Sequence, residues 1–384
     1  MALETEALRL GSLLKWLFDI SPRETSFERR GFRGGNAAVR ARLEQVGVAF
    51  VAGYRAALED SSHAALIPKL EALEPLAKLS RSAPVPGRRN VARHESLESS
   101  NSYGETDVAA PGDGRTPVTL ADASVTSDFR GFAYEGAAMA LALLDRITPW
   151  NRSRVAGFLA GPGEPHTYMV HVGAGWVLAR MPGSVDKFLS RFDPLLRWLI
   201  VDGYGFHEAF FHFPRYLAGE PIPKRVQGYA RRVFDQGFGR CLWFVEGTEV
   251  GRIAQTIAGF PLERQGDFWS GIGLSSVYAG EVGAAELRSL REAAGSFAPQ
   301  LAQGAAFAAK ARQRAGNLTL YQDVACGILC GMTSDQAARV TDDALENLPL
   351  TGPEPAYEIW RRRIQERLAV SAPRQTTAHT EVHL

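Results

Sequence analysis

At 384 residues the chain is long enough to bury a large core, as one large domain or two ordinary ones. Its 43 basic and 42 acidic side chains leave a net charge of +1, so nothing in the charge balance favours binding to nucleic acid or to an anionic membrane. Three cysteines are too few for a disulfide framework. With no secretory signal at the N-terminus and no apolar run of spanning length, these features predict a cytoplasmic protein that is not itself transmembrane.

The N-terminal region, residues 1–80, is predicted to be helical. The stretch 36–60 has apolar residues at helical spacing, and Pro68 is expected to open a further helix. Residues 81–117 are rich in Ser, Pro, Gly, Arg and Glu, which predicts a flexible loop. We expect a helical repeat core over 118–350, an amphipathic C-terminal helix over 351–370 and a disordered tail over 371–384.

Within the core, a glycine recurs at nearly constant spacing. The intervals are 37, 30, 34 and 34 residues, between Gly136, Gly173, Gly203, Gly237 and Gly271. Four of these five are followed two positions later by a second glycine. Such a period is typical of helical-hairpin repeats, and glycine lets neighbouring backbones approach closely. We therefore predict a mostly α fold of helical hairpins, forming an α-solenoid or an α/α-toroid-like single domain.

Residues beside the glycines occupy equivalent positions if the repeats stack. Polar groups among them are costly to bury without partners, so they are candidates for one shared binding surface. Arg240 could hold a carboxylate or pair with Asp235, and we expect the ion pair with Asp235. Phe211 and Tyr278 are further candidates for an aromatic wall. The candidate substrate-binding residues are Tyr134, Glu135, His171, Phe206, Phe210, Asp235, Arg240, Trp243 and Trp269.

The segment 202–217, DGYGFHEAFFHFPRYL, holds the densest group of ionisable residues. The candidate catalytic residues in it are Asp202, His207, Glu208 and His212. Glu208 and His212 are four apart and share a helix face, where they could poise an imidazole for acid–base chemistry or form a core hydrogen bond. A metal here would need a third ligand from another repeat, such as His171 or Asp235, so no metal is assigned. Phosphate-binding glycine loops are absent from the sequence, and no cofactor is predicted.

Six segments together resemble one bacterial family of unknown function. They are ISPRETSFERRGF (20–32), FRGFAYEGAAMALALLD (129–145), HVGAGWVLAR (171–180), DGYGFHEAFFHF (202–213), FDQGFGRCLWFVEG (234–247) and WSGIGLSSVYAG (269–280). Members of that family are encoded in enediyne biosynthetic gene clusters, beside an iterative polyketide synthase that makes a linear polyene. The resemblance covers about residues 10–80 and 125–350, and the loop at 81–117 departs from it.

The resemblance implies a role in maturing the linear polyene towards the enediyne core. It also implies an FG-GAP/ASPIC-type protein and an electron-transport-like membrane protein of the same pathway as partners. One hypothesis is an enzyme that isomerises or cyclises an apolar polyene by acid–base chemistry in an aromatic-lined cavity. The other is a non-catalytic scaffold or carrier for the polyene or for the partner proteins.

Overall fold

The computed structural model describes residues 18–72, 129–148, 150–280 and 282–371. Every regular element in these ranges is helical, which confirms the mostly α prediction for that part of the chain. Short 3₁₀ helices lie at Pro22–Thr25, Glu164–His166 and Gly295–Phe297. The α-helices are α1 (Phe27–Arg30), α2 (Ala37–Glu59), α3 (His63–Glu71), α4 (Arg130–Ile147), α5 (Arg154–Leu159), α6 (Thr167–Arg180), α7 (Val185–Leu189), α8 (Trp198–Leu217), α9 (Ala230–Val245), α10 (Val250–Ala258), α11 (Leu262–Tyr278), α12 (Ala284–Ala294), α13 (Ala298–Arg314), α14 (Leu320–Leu329), α15 (Ser334–Asp343) and α16 (Ala356–Ser371).

The N-terminal helices follow the sequence prediction except at Pro68. Asn36 caps α2 by accepting from the backbone N–H groups of Ala38 and Val39, and the helix ends at Glu59, so the predicted stretch is correct. Pro68 does not open a helix; it lies inside α3, which begins at His63. Leu66 and Leu70 are fully buried four residues apart, and burial of that face carries the helix through the proline. The predicted loop at 81–117 and residues 372–384 of the tail lie outside the described residues.

Five long helices, α4, α6, α8, α9 and α11, carry the recurring glycines, and α2 and α13 carry Gly53 and Gly304 in the same kind of contact. These seven are called here the glycine helices. Each packs against the next one in this order. Consecutive members run in the same direction, as α9 and α11 show. Arg232 near the start of α9 contacts Asp267, and Ser275 further along α11 donates to the carbonyl of Arg240. Residue numbers increase in the same direction along both helices from one contact to the next, so the two helices are parallel. The short helices between them carry the chain back to the end where the next long helix begins.

The recurring glycines lie where adjacent helix backbones touch. A Cβ added to Gly237 would lie 1.8 Å from the carbonyl oxygen of Asp202 on α8, and one added to Gly239 would lie 2.3 Å from that of Phe268 on α11. The first glycine of a pair thus contacts the preceding helix and the second contacts the following one. Equivalent contacts involve Gly53, Gly136, Gly173, Gly175, Gly203, Gly205, Gly271, Gly273 and Gly304.

The residues directly before several of these glycines form a buried hydrogen-bonded ladder. Gln236 donates to Asp202 at 2.8 Å, and the Ser270 hydroxyl lies 3.5 Å from Gln236 and 2.9 Å from Gln303. Arg361 of α16 joins the ladder through Gln303 at 3.3 Å. These polar side chains therefore contact one another between the helices and not on an open binding surface.

The C-terminal helix α16 docks through a buried ionic cluster. Arg361 is fully buried and donates to Asp267 at 2.7 Å and to Glu358 at 3.3 Å. Arg232 contacts the same two carboxylates, at 3.0 Å and 2.6 Å. Carboxylates on both sides raise the pKa of Arg361 well above its usual range even though burial acts to lower it. The predicted C-terminal helix is thus an integral part of the core. Within the described ranges, no helix combines the length and the apolar character needed to cross a bilayer.

Candidate functional site

A cavity with about 670 Å³ of empty space, partly open to solvent, lies between six of the glycine helices. The helices α2, α4, α6, α8, α9 and α11 supply its walls, which are mostly aromatic and aliphatic. The lining aromatic residues are Phe50, Phe132, Trp176, Phe206, Phe210, Phe211, Phe244 and Tyr278.

Two ionisable side chains, Glu135 of α4 and Arg240 of α9, lie deep in this apolar wall. Both line the cavity and both are buried, with 4% of each residue exposed. Glu135 directly precedes Gly136 at the contact with α2, and Arg240 directly follows Gly239 at the contact with α11. The close helix contacts at these two glycines therefore hold the backbone next to the Glu135 and Arg240 side chains in place. A binding site needs such rigid support for its side chains.

Burial sets the protonation of Glu135. It raises the pKa of the carboxyl from 4.5 to about 7, although the positive charge of Arg240 and a hydrogen bond from Trp176 act to lower it. The indole Nε1 of Trp176 donates to Oε1 at 3.2 Å. Glu135 can therefore both give and take a proton near neutral pH, as a general acid–base residue must.

Arg240 is held from behind by Asp202. Its Nε donates to Oδ1 of Asp202 at 2.7 Å, and its guanidinium lies 4.7 Å from the ring centroid of Phe206. The Nη2 atom is buried and has no hydrogen-bond partner among the residues that the structure describes. Such an atom loses its hydration without compensation, so a ligand that accepts from it would relieve that cost.

The segment around α1 covers one side of the cavity. Ile20, Glu24 and Thr25 line it. Arg30 forms an ion pair with Glu24 and lies 4.8 Å from the ring centroid of Phe211. Two further contacts attach the segment to the helices behind it. The Phe32 and Phe210 rings meet edge to face at 5.1 Å, and Arg33 forms an ion pair with the buried Glu246.

A second cavity, with about 450 Å³ of empty space, shares Arg240, Leu274 and Tyr278 with the first. Its other walls come from α6, α8, α13 and α16, including Lys310 and Trp360. Arg240 therefore stands between two spaces inside the same group of helices.

Six of the predicted site and wall residues line the main cavity: Glu135, Phe206, Phe210, Phe211, Arg240 and Tyr278. Asp202 reaches the site only through Arg240. The expected pair of Arg240 with Asp235 is wrong: Asp235 instead accepts two hydrogen bonds from Arg264, at 2.6 and 2.8 Å. Asp235 lies on the side of α9 that contacts α11, whereas Arg240 is one of the residues of α9 that contact Asp202 on α8, so the two side chains have different neighbours.

The histidine cluster of α8 is absent from the cavity lining. His207 is buried, and its Nδ1 lies 3.7 Å from Oε1 of Glu208. The other carboxylate oxygen of Glu208, Oε2, accepts a 2.8 Å hydrogen bond from the Tyr216 hydroxyl. Burial lowers the pKa of His207. The Glu208 carboxylate therefore interacts with His207, its neighbour in the sequence, and not only with His212, four residues further on. We place His207, Glu208 and His212 in the packing of α8 and not among the cavity groups.

The remaining predicted residues also pack away from the cavity. Tyr134 donates to Glu71 at 2.8 Å and stacks on His166, while Nδ1 of His171 lies 2.7 Å from the carbonyl oxygen of Thr167. Trp243 is fully buried and donates to the carbonyl of Gly280, and Trp269 is buried in the core of α11.

The third ligand suggested for a metal at the α8 histidines is not beside them. His171 contacts Phe192, and Asp235 is taken by Arg264. Across the described part of the chain, no three side chains of His, Cys, Asp or Glu are grouped as metal ligands would be.

Four aromatic wall residues were not among the sequence candidates: Phe50, Phe132, Trp176 and Phe244. Trp176 directly follows Gly175, so its place beside a recurring glycine was the available signal. Phe50 had no such signal, because α2 lies before the first recurrence and its glycine, Gly53, stands outside the regular spacing.

Fold and site together define an all-helical protein, as far as it is described, whose parallel helices enclose an aromatic cavity with a buried carboxyl and a buried guanidinium. The chain belongs to the family described as "Protein of unknown function (DUF1702)", which matches residues 9–78 and 108–368. No curated protein and no solved structure matches the chain.

Proposed function

We propose that this protein binds an extended apolar polyene in the aromatic cavity and isomerises or cyclises it by acid–base chemistry at Glu135. The observation that carries this proposal is the placement of one carboxyl, with a pKa raised to about 7, in a wall made otherwise almost wholly of apolar side chains. A conjugated chain gains binding energy from burial against such rings, and one carboxyl can move its protons.

The proposed architecture is an α/α-toroid-like ring of helical hairpins. Its support is the parallel order of the glycine helices together with contacts between members that are far apart in that order. Tyr278 of α11 meets Phe132 of α4 edge to face at 5.2 Å, and α6 touches α13. A row of helices that curves back on itself would enclose the cavity, as both contacts require.

In the proposed reaction Glu135 acts alternately as acid and base. Its carboxylate removes a proton from one carbon of the conjugated chain, and the carboxylic acid so formed then gives a proton to another carbon. The double bonds shift between these carbons, and no electrons enter or leave the ligand. Trp176 holds one carboxyl oxygen in place, so the other can face the ligand.

The proposal extends to the biosynthetic context. The six segments that resemble proteins of enediyne gene clusters support a linear polyene from an iterative polyketide synthase as the ligand. They equally support the FG-GAP/ASPIC-type and electron-transport-like membrane proteins as partners. The three cysteines are free and buried, which suits a reducing cytoplasm.

Deuterium uptake tests the proposal directly. A linear conjugated polyene that ends in a methyl ketone is mixed with the purified protein in D₂O, binding is followed by its absorption spectrum, and deuterium in the recovered polyene is measured by mass spectrometry. We expect the native protein to bind the polyene and to introduce deuterium. Glu135→Gln should bind it and introduce none, because an amide cannot exchange protons with carbon at this rate.

Glu292→Gln is the matched control, because Glu292 is an exposed residue of α12 far from the cavity lining. It should behave as the native protein does. Binding without deuterium uptake by any form would favour the carrier function, and uptake by Glu135→Gln at the native rate would exclude Glu135 as the acid–base residue. Failure of the native protein to bind the polyene would reject the ligand class.

A further inference from the structure

The cavity holds a hydrogen-bond donor that a pure hydrocarbon would leave unused. Arg240 lines the cavity with 4% of the residue exposed, and its Nη2 lacks a partner within the described ranges. Its Nε is already taken by Asp202 and its flat face by Phe206. A buried donor of this kind favours a ligand with an acceptor oxygen.

We propose that the ligand of this cavity carries a neutral carbonyl oxygen, conjugated with its apolar chain, which accepts a hydrogen bond from Nη2 of Arg240. This inference rests on the proposed function and names the substrate class more closely: a polyene ketone, ester or thioester. The apolar chain lies along the rings of Trp176, Phe206 and Phe210, and the carbonyl marks the end held by α9.

Charge balance favours a neutral carbonyl over a carboxylate. Arg240 is neutralised by Asp202 at 2.7 Å, and Glu135 is the other ionisable group deep in the cavity wall. A ligand carboxylate would bring a second negative charge close to Arg240, whose positive charge is already paired with Asp202. A carbonyl accepts from Nη2 without adding a charge.

A carbonyl also makes the proposed proton transfer feasible. A carboxylate is too weak a base to deprotonate an unactivated hydrocarbon chain. When a carbonyl is conjugated with the chain, the electron pair left by the departing proton moves onto the carbonyl oxygen, where Arg240 stabilises it. Glu135 takes that proton and returns one to another carbon as the oxygen releases the pair, so the double bonds shift with no oxidant or reductant. Arg240 thus contacts the reacting system, while Asp202 positions it.

Three synthetic probes of equal chain length test this inference: a linear conjugated polyene, its methyl ketone and its carboxylate. Each is titrated against the native protein at neutral pH, and the dissociation constant and absorption maximum are recorded. We expect the ketone to bind about tenfold or more tightly than the hydrocarbon, since a hydrogen bond from a charged donor is worth that factor. Its absorption should move to longer wavelength, because a cationic donor at the oxygen stabilises the excited state.

Arg240→Lys provides the matched variant, because lysine keeps a positive charge beside Asp202 but lacks the second arm of the guanidinium. Its preference for the ketone should fall to about threefold or less and the red shift should shrink. If the variant does not fold, as judged by circular dichroism, the red shift and the ketone preference of the native protein decide the question.

The possible failures are distinct. Equal binding of ketone and hydrocarbon, or a ketone bound without a red shift, would overturn the carbonyl inference and leave polyene binding intact. Tightest binding of the carboxylate would overturn the neutral-ligand argument. Absence of binding by all three probes would reject the proposed function as well.

Discussion

Replacing Gly237 with alanine places a methyl group where α8 and α9 touch. The new Cβ would stand 1.8 Å from the carbonyl oxygen of Asp202, and 2.6 Å and 2.9 Å from its carbonyl carbon and Cα. Since Cβ atoms essentially never approach other atoms closer than 3.0 Å, the helices must separate by about 1.2 Å. All the clashing atoms are backbone, so no side chain can turn away to make room.

Overpacking of this kind costs about 3 kcal/mol or more, because two packed backbones must move together. Urea unfolding followed by circular dichroism measures the loss. The separation would also stretch the 2.7 Å bond from Arg240 to Asp202, so any ligand affinity that depends on Arg240 should fall too.

Gly327→Ala is the matched control. Gly327 is an exposed residue inside α14, and an added Cβ would meet no atom within 4 Å. Alanine there should stabilise the protein by about 0.5–1 kcal/mol, since glycine is the poorer helix former. If Gly237→Ala unfolds within about 1 kcal/mol of the native protein, the close-contact explanation of the recurring glycines is refuted.

Two further predictions concern buried charge. Burial in the folded state raises the pKa of Glu135 from 4.5 to about 7, so the folded protein binds this proton more tightly than the unfolded chain does. The free energy of unfolding should therefore fall by about 3 kcal/mol as pH rises from below 4.5 to above 7. Urea unfolding at pH 5 and pH 8 should show that loss in the native protein relative to Glu135→Gln, and parallel pH profiles would contradict it. Arg361→Met leaves Asp267 and Glu358 short of a cation and should cost about 3–5 kcal/mol, whereas Arg362→Met removes an exposed pair and should cost about 1 kcal/mol or less. Equal unfolding midpoints for these two variants would argue against α16 being held by its buried ion pairs.

The mostly α class was predictable from the sequence, and the recurring glycines mark close contacts between helix backbones. Only glycine permits a carbonyl to lie where a Cβ would be, so residues such as Gly203 and Gly237 stand where two of the glycine helices touch. Gly53 makes the same contact but lies 83 residues before Gly136, outside the regular spacing, whereas Gly304 lies 33 residues after Gly271 and extends the series by one helix. Pro68 was misread because propensity alone predicts a helix start, while burial of Leu66 and Leu70 decides the outcome.

The site was only partly predictable, because a cavity wall depends on which side chains from different helices meet. Glu135, Phe206, Phe210 and Arg240 stood out as unusual neighbours of the glycines. The histidines of α8 drew attention by their chemistry, yet no sequence feature shows that His207 packs against Trp176 and not into the cavity. The partner of Arg240 was misassigned for the same reason, since local spacing cannot tell whether a side chain faces the preceding or the following helix.

Glu135 and Asp202 stand at the same position relative to a recurring glycine, yet Asp202 belongs to the buried hydrogen-bonded ladder and Glu135 lines the cavity. Each directly precedes one of the recurring glycines, and burial raises the pKa of both carboxyls. Asp202 accepts from Arg240 and from Gln236, whose polar side chain stands at the equivalent position of the next helix, so it becomes part of the ladder. The equivalent position of the next helix, α6, holds Val172, whose side chain cannot hydrogen-bond, and among the described residues only the Trp176 indole donates to the Glu135 carboxyl. Valine therefore interrupts the ladder and leaves Glu135 with fewer partners than Asp202, which is why we propose Glu135 and not Asp202 as the carboxyl that exchanges protons with a ligand.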